Sequence, residues 1–275
     1  MKQVLTVVIL FISGSLCAQE SVNLKYGFAT GKKFLQNTQL TLNQNQNMGG
    51  QEIKVFSESK TKTSFVVDSV DPDEKATVLV SALDLSVHSI VMGKDTTMQF
   101  NDLKDKSRVV FSNTGKSLST AQVDSSQAGP MVNQLDFGRL RSVPGKPVKV
   151  GEKWIEKDTA TKKASAGNPI AVDVASETEY TLVGKETKDG REYSKVTFTG
   201  TMNLNGKGNM MGMEMFLEGT GKSQGFYFFD PGLSMIVYNE EDTELNMNVA
   251  VSGPQNMSIP MTQSMKTVVT FEEVK

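Results

Sequence analysis

The sequence predicts a mainly β protein: curved antiparallel sheet, half-barrel or barrel-like, in two pseudo-repeated halves joined by a short helix. Three observations predict it. Apolar residues recur with a period of two, turn residues fall between the apolar runs, and features of the first half return in the second at nearly constant separation.

The chain opens on Met1-Lys2-Gln3, an apolar run from Val4 to Ile12, and small residues from Ser13 to Ala18 ahead of Gln19-Glu20. That is the layout of a secretory signal peptide spanning residues 1–18. The apolar run is far short of the ~20 residues that cross a bilayer, so no transmembrane anchor is expected. Leu16 directly before Cys17 does not suit a lipid-attachment site. The expected product is exported, to the periplasm, the cell surface or the medium, and contains no cysteine. Its stability must then come from burial and backbone pairing rather than disulfides.

Residues 19–129 read as a first β half. Phe65–Val70 and Thr77–Val80 flank the turn Asp71-Pro72-Asp73-Glu74. From Val78 to Met92 a long strand places Leu79, Leu83, Leu85, Val87 and Val91 on one side and Asp84, Ser86 and His88 on the other. Asn43 to Asn47 with Gly49-Gly50, and later Lys162 to Asn168, read as exposed loops. Residues 130–146 form the predicted linker: Met131, Leu135, Leu140 and Val143 have helical spacing between Pro130 and Pro144, weakened by Gly138.

Residues 147–275 read as the second β half, in one domain with the first. Hairpins are expected around Lys188-Asp189-Gly190 and Asp230-Pro231-Gly232. Val196, Phe198, Gly200, Met202 and Leu204 alternate with Thr197, Thr199, Thr201 and Asn203. Leu245, Met247, Val249 and Val251 alternate with Glu244, Asn246, Asn248 and Ala250. Such half-polar strands belong to antiparallel sheet with one buried face. Gly31-Lys32-Lys33-Phe34 echoes Gly151-Glu152-Lys153-Trp154, Phe65–Val78 echoes Tyr180–Val196, and Val109-Val110-Phe111 echoes Phe226-Tyr227-Phe228. Two similar sheets edge to edge around one interior would explain the echo. The second half adds a strand pair near Leu245–Val251 and Thr267–Val274.

The run Pro147-Val148-Lys149-Val150-Gly151-Glu152-Lys153-Trp154, then Thr178 to Gly184, then Gly219-Thr220-Gly221-Lys222 ahead of Phe226–Asp230, resembles a family of exported bacterial proteins defined by a domain of unknown function. These motifs are structural, and the resemblance implies no catalytic residues. A looser similarity, of architecture alone, is to periplasmic lipoprotein-carrier folds, in which a curved sheet shelters apolar ligands.

Rare residues narrow the chemistry. Lys plus Arg is 29 against 31 for Asp plus Glu, a formal charge of −2, which does not suit a nucleic-acid binder. His88 is the single histidine and lies on the polar side of its strand, so neither a His-dependent triad nor a zinc site is expected. Gly206, Gly208 and Gly212 lack the strand-to-helix setting of a phosphate loop. Glu240-Glu241-Asp242 reads as solvated charge, and Asp158-Thr159-Ala160 is too short an O-glycosylation motif to carry weight. No enzymatic activity and no cofactor are expected.

Methionine is the unusual feature: fifteen in all, with the densest run at Met210-Met211-Gly212-Met213-Glu214-Met215. On a strand Met211, Met213, Met215 and Leu217 share a face. With Val196, Phe198, Met202, Leu204, Leu245, Met247 and Val249 they make an adaptable apolar surface suited to an apolar small molecule or lipid. Two other readings are a structural or protein-interaction component of the bacterial cell envelope, and Cu(I) binding by thioethers. Oligomeric state is not fixed by the sequence.

Overall fold

The computed structural model describes residues 21–124, 139–164, 169–210, 212–253 and 256–274. The signal segment, residues 130–138 of the linker, residues 165–168 of the polar loop, and Met211 lie outside them. Fourteen strands, and no helix, occur among the described residues. They are β1 (Ser21–Leu24), β2 (Lys33–Met48), β3 (Gln51–Val70), β4 (Ala76–Val91), β5 (Lys94–Phe100), β6 (Lys106–Phe111) and β7 (Ser117–Asp124), then β8 (Lys146–Lys149), β9 (Lys153–Lys162), β10 (Ile170–Lys188), β11 (Arg191–Met210), β12 (Met213–Asp230), β13 (Met235–Ser252) and β14 (Met257–Val274).

Twelve strands form one open antiparallel sheet in the order β7-β6-β4-β3-β2-β14-β13-β12-β11-β10-β9, with β5 also paired to β4. β1 and β8 form a separate two-stranded ribbon. The extra pair β13–β14 supplies the junction: β14 runs from Met261↔Gln46 to Val274↔Lys33 along β2 and so stitches the two halves into one sheet.

Two of the echoed segments share a backbone bonding pattern. Gly31 N–H donates to Val67 O, Val67 N–H to Lys32 O, and Lys32 N–H to Ala29 O; Gly151, Leu182 and Glu152 make the same three bonds to Leu182, Glu152 and Lys149. Both glycines sit at φ +83°, a left-handed conformation that costs other residues. The aromatics that follow are cross-strand partners too, Phe34↔Phe65 and Trp154↔Tyr180.

Tight turns mark both ends of the long strands. Gly49-Gly50, Met92-Gly93 and Asp189-Gly190 each have two positive φ values, as two-residue type I′ hairpins require. At Asp230-Pro231-Gly232 the Asp230 carboxylate accepts from the N–H groups of Gly232 (2.8 Å) and Leu233 (3.1 Å). The turns at 71–75, 112–116, 189–190 and 231–234 share one end, here the base. Those at 49–50, 92–93 and 212 share the other, the rim.

Three sequence expectations need correction. Asn43–Asn47 is strand, not loop, because β2 continues to the Gly49-Gly50 turn and pairs on both sides, Asn45 with Lys54 and Thr262. In β4 a bulge at Leu83 shifts the phase, so Val78, Val80 and Ala82 share a face with Leu85 while Leu79 does not. The linker residues 139–144 are not helical. They cross the sheet extended, Val143 N–H bonding Thr114 O at 3.0 Å and Gly145 N–H bonding Leu24 O at 2.9 Å. These tertiary bonds satisfy the backbone groups that a helix would have satisfied internally.

Candidate functional site

The period of two gives the sheet one apolar and one polar face, and the apolar face changes character along its length. At the base it is buried. Phe34, Phe65, Val67, Val78, Phe111, Leu182, Val196, Tyr227, Phe229, Met235 and Phe271 form one cluster with Leu24 and Val148 of the β1–β8 ribbon and Val143 of the extended strap. Both halves contribute, so the repeated sheets share a core.

A polar layer lies above that core. The strap brings Arg141 across the sheet, where its guanidinium pairs with Glu241, lies 3.9 Å from the centre of the Phe198 ring, and reaches Tyr180 Oη at 3.4 Å. Tyr26 Oη donates to Arg141 O at 2.7 Å, and Gln36 Nε2 to Arg139 O at 3.3 Å. Glu241 is therefore inward-facing and ion-paired rather than solvated, because it occupies an apolar-face position of β13 opposite Gly225. Glu156 accepts from Ser142 Oγ at 3.2 Å, and burial raises its pKa above the ordinary range. Burial also raises Tyr26, Tyr180 and Tyr227. Tyr227 Oη and Asn239 Oδ1, on directly opposed residues, have no hydrogen-bond partner among the described residues.

The predicted site residues share the apolar face but fall into two groups. Val196 and Phe198 belong to the base core. Towards the rim Leu204, Met213, Met215 and Leu217 pack with Ile170, Val172, Val174, Ile259, Met261 and the buried Val249 and Val251 as a second cluster. Leu245 and Met202 lie between, meeting over Gly221, and Met247 covers Gly219. Most of this rim group is only half-buried, and Met257 is 42% exposed. Met247 and Met261 are direct cross-strand partners.

What the sequence reading passed over is the glycine set of β11 and β12. A Cβ on Gly206 would lie 2.7 Å from Ile170 Cγ2 and 3.2 Å from Leu217 Cβ, and one on Gly208 would lie 2.2 Å from Pro169 O. β10 and β12 consequently approach each other directly across β11. Glycine within strands marks such close approach. The spacing Gly200, Gly206, Gly208, then Gly219, Gly221, Gly225 at period-two positions was the available signal.

The single histidine stands apart from the apolar face: His88 is on the polar face, 3.0 Å from Asp95 and edge-on to Phe56. Among the described residues no group of three or more His, Cys, Asp and Glu side chains is placed to hold a metal. On the polar face Tyr193, Phe226, Phe228 and Tyr238 cluster under Lys188 and Lys195. The hydrogen bond that Tyr238 donates to Glu240 (2.7 Å) raises its pKa to about 12. Among the described residues no helix is long and apolar enough to cross a membrane.

No family model matches the chain, and no curated protein matches it. Among solved structures it is similar to OccK7 (OpdD) of Pseudomonas aeruginosa, at 8% identity and a TM-score of 0.28 over 90% of this chain and 100% of that one. It is also similar to an outer membrane channel of Pseudomonas putida F1, at 9% identity and TM-score 0.26 over 90% and 97%. The outer membrane protein OprD of P. aeruginosa matches at 6% identity and TM-score 0.24 over 92% and 97%. Scores this low carry no argument for this chain, which stands as an open, mainly antiparallel β protein.

Proposed function

We propose that the protein is an exported, non-enzymatic binding protein that takes an apolar, lipid-like molecule on the rim half of its apolar face. One observation carries this reading. Among the described residues, the strap and the β1–β8 ribbon cover the apolar face at the base and no segment covers it at the rim, leaving Met202, Leu204, Met215, Leu217, Met247 and Met261 half-exposed beyond the Arg141 layer. Flexible thioether chains suit a surface that must repack around a guest. Exposed contiguous apolar surface of this kind usually marks a binding site.

The test is direct. Protein purified without detergent is extracted and its lipids are measured by mass spectrometry, alongside Met213→Asp. Co-purifying lipid that disappears in the variant, with secretion and folding retained, supports the reading. Lipid-free protein with no affinity for an apolar fluorescent probe overturns it. Tight Cu(I) uptake in the same preparation, without lipid, would favour the thioether-metal alternative at the Met247–Met261 pair.

A further inference from the structure

The opposite face carries a feature that the apolar-ligand reading does not use. An open trough of about 1010 Å³ runs across the strands from β11 to β2. Its walls are two adjacent rows of outward side chains, read from the strand register. One row is Asn203, Thr220, Asn246, Thr262 and Asn45; the other is Asn205, Glu218, Asn248, Pro260 and Asn47. Between them Leu204, Gly219, Met247, Met261 and Gln46, the intervening residues of the same strands, complete the lining.

We infer that this trough binds an uncharged, linear polysaccharide lying across the strands. Four points carry the inference. Six asparagines stand in its two rows, and each carboxamide offers both a donor and an acceptor, the pairing that a hydroxyl needs. Among the described residues the side chains of Asn45, Asn203, Asn205 and Asn246 make no hydrogen bond within the protein; Asn47 uses its oxygen on Gly50 N–H and Asn248 on Ser258 Oγ. The only charges in the lining are the carboxylates of Glu52 and Glu218, which disfavour a polyanion. Finally, strands lie ~4.8 Å apart, so the rows repeat on the scale of one sugar ring over about 19 Å, and a chain of repeating units meets equivalent amides at successive strands. The walls hold no aromatic ring for stacking, so affinity rests on many weak hydrogen bonds and grows with chain length.

The inference is independent of what the apolar face binds. The intact exported protein is titrated calorimetrically with cello-, chito-, xylo- and malto-hexasaccharides, and with a sulfated oligosaccharide of equal length. At least one neutral hexamer is expected to bind at up to millimolar concentration, more tightly than its trimer, and the sulfated one not to bind. In the double variant Asn203→Ala/Asn246→Ala the affinity is expected to fall at least tenfold. Met213→Asp, on the other face, is expected to leave it unchanged. Both Asn positions are solvent-exposed, so unaltered circular dichroism and thermal melting serve as the folding control. Failure of all four neutral hexamers, unchanged affinity in the double variant, or tighter binding of the sulfated chain each overturns the inference.

Discussion

Base and rim are built from the same strands with the same period, yet only the base is a finished core. Along β12 the apolar-face residues run from Phe229 and Tyr227, both fully buried, through Gly225 and Gly221, to half-exposed Leu217 and Met215. Along β13 they run from Met235 and Asn239 to Met247. The difference lies in what covers them. At the base a second layer, the β1–β8 ribbon and the strap, is packed onto the sheet. At the rim, among the described residues, there is only the bend of the sheet over its own glycines. A single sheet face needs a partner layer to become a core, and where none is supplied the surface is available to something else.

Substitutions sharpen this contrast. The largest effect is expected from Phe229→Ala, which leaves a cavity in the closed base and should cost about 3–5 kcal/mol in denaturant unfolding. Met215→Ala, in the half-exposed rim, should cost only about 1 kcal/mol. Equal costs at the two sites would break the comparison. Next comes Arg141→Ala, which leaves Glu241 unpaired on the apolar face and strips the guanidinium from Phe198 and Tyr180; for a partly buried pair a loss of about 1–3 kcal/mol is expected. If that loss is measured as small, the strap is not what seals the base. Gly208→Ala would press a methyl against the Pro169 carbonyl, and about 1–3 kcal/mol of destabilisation is expected.

Smaller effects test the polar layer. Tyr227→Phe removes a buried hydroxyl that has no hydrogen-bond partner and should leave stability unchanged or improve it by up to ~1 kcal/mol. Tyr26→Phe, which loses the 2.7 Å bond to Arg141 O, should cost about 1 kcal/mol. Glu156 gives a pH signature. Its folded pKa is raised by burial, so the native state holds the proton more tightly than the unfolded chain does. Its contribution to stability is complete below the ordinary glutamate pKa and is lost as pH rises through the folded value. Glu156→Gln, which keeps a group able to accept from Ser142, should flatten that part of the stability profile. An unchanged profile would show that Glu156 is solvated in the folded protein.

Much of the fold was legible because it is local. Period-two runs such as Val196–Leu204 and turn dipeptides such as Asp189-Gly190 act over a few residues, and both appear where expected. The echo of Gly31 in Gly151 was legible for the same reason, since a left-handed turn residue leaves a glycine behind. What the sequence hid is tertiary. The Asn-rich end of β2 has poor strand propensity and is held by its partners on both sides. Residues 139–145 of the linker are extended because Thr114 and Leu24 offer them hydrogen bonds, and no helical periodicity could reveal that. The division of the predicted apolar set between base and rim depends on where the strap crosses, which is fixed by Arg141 meeting Glu241, residues far apart in the chain.

Amide hydrogen exchange with and without a saturating long-chain fatty alcohol distinguishes an open rim from a closed base. Added protection is expected in the rim segments 202–217 and 245–261, with the base strands around Val196, Phe229 and Phe271 unchanged. Protection spread over the base, or none anywhere, would contradict it.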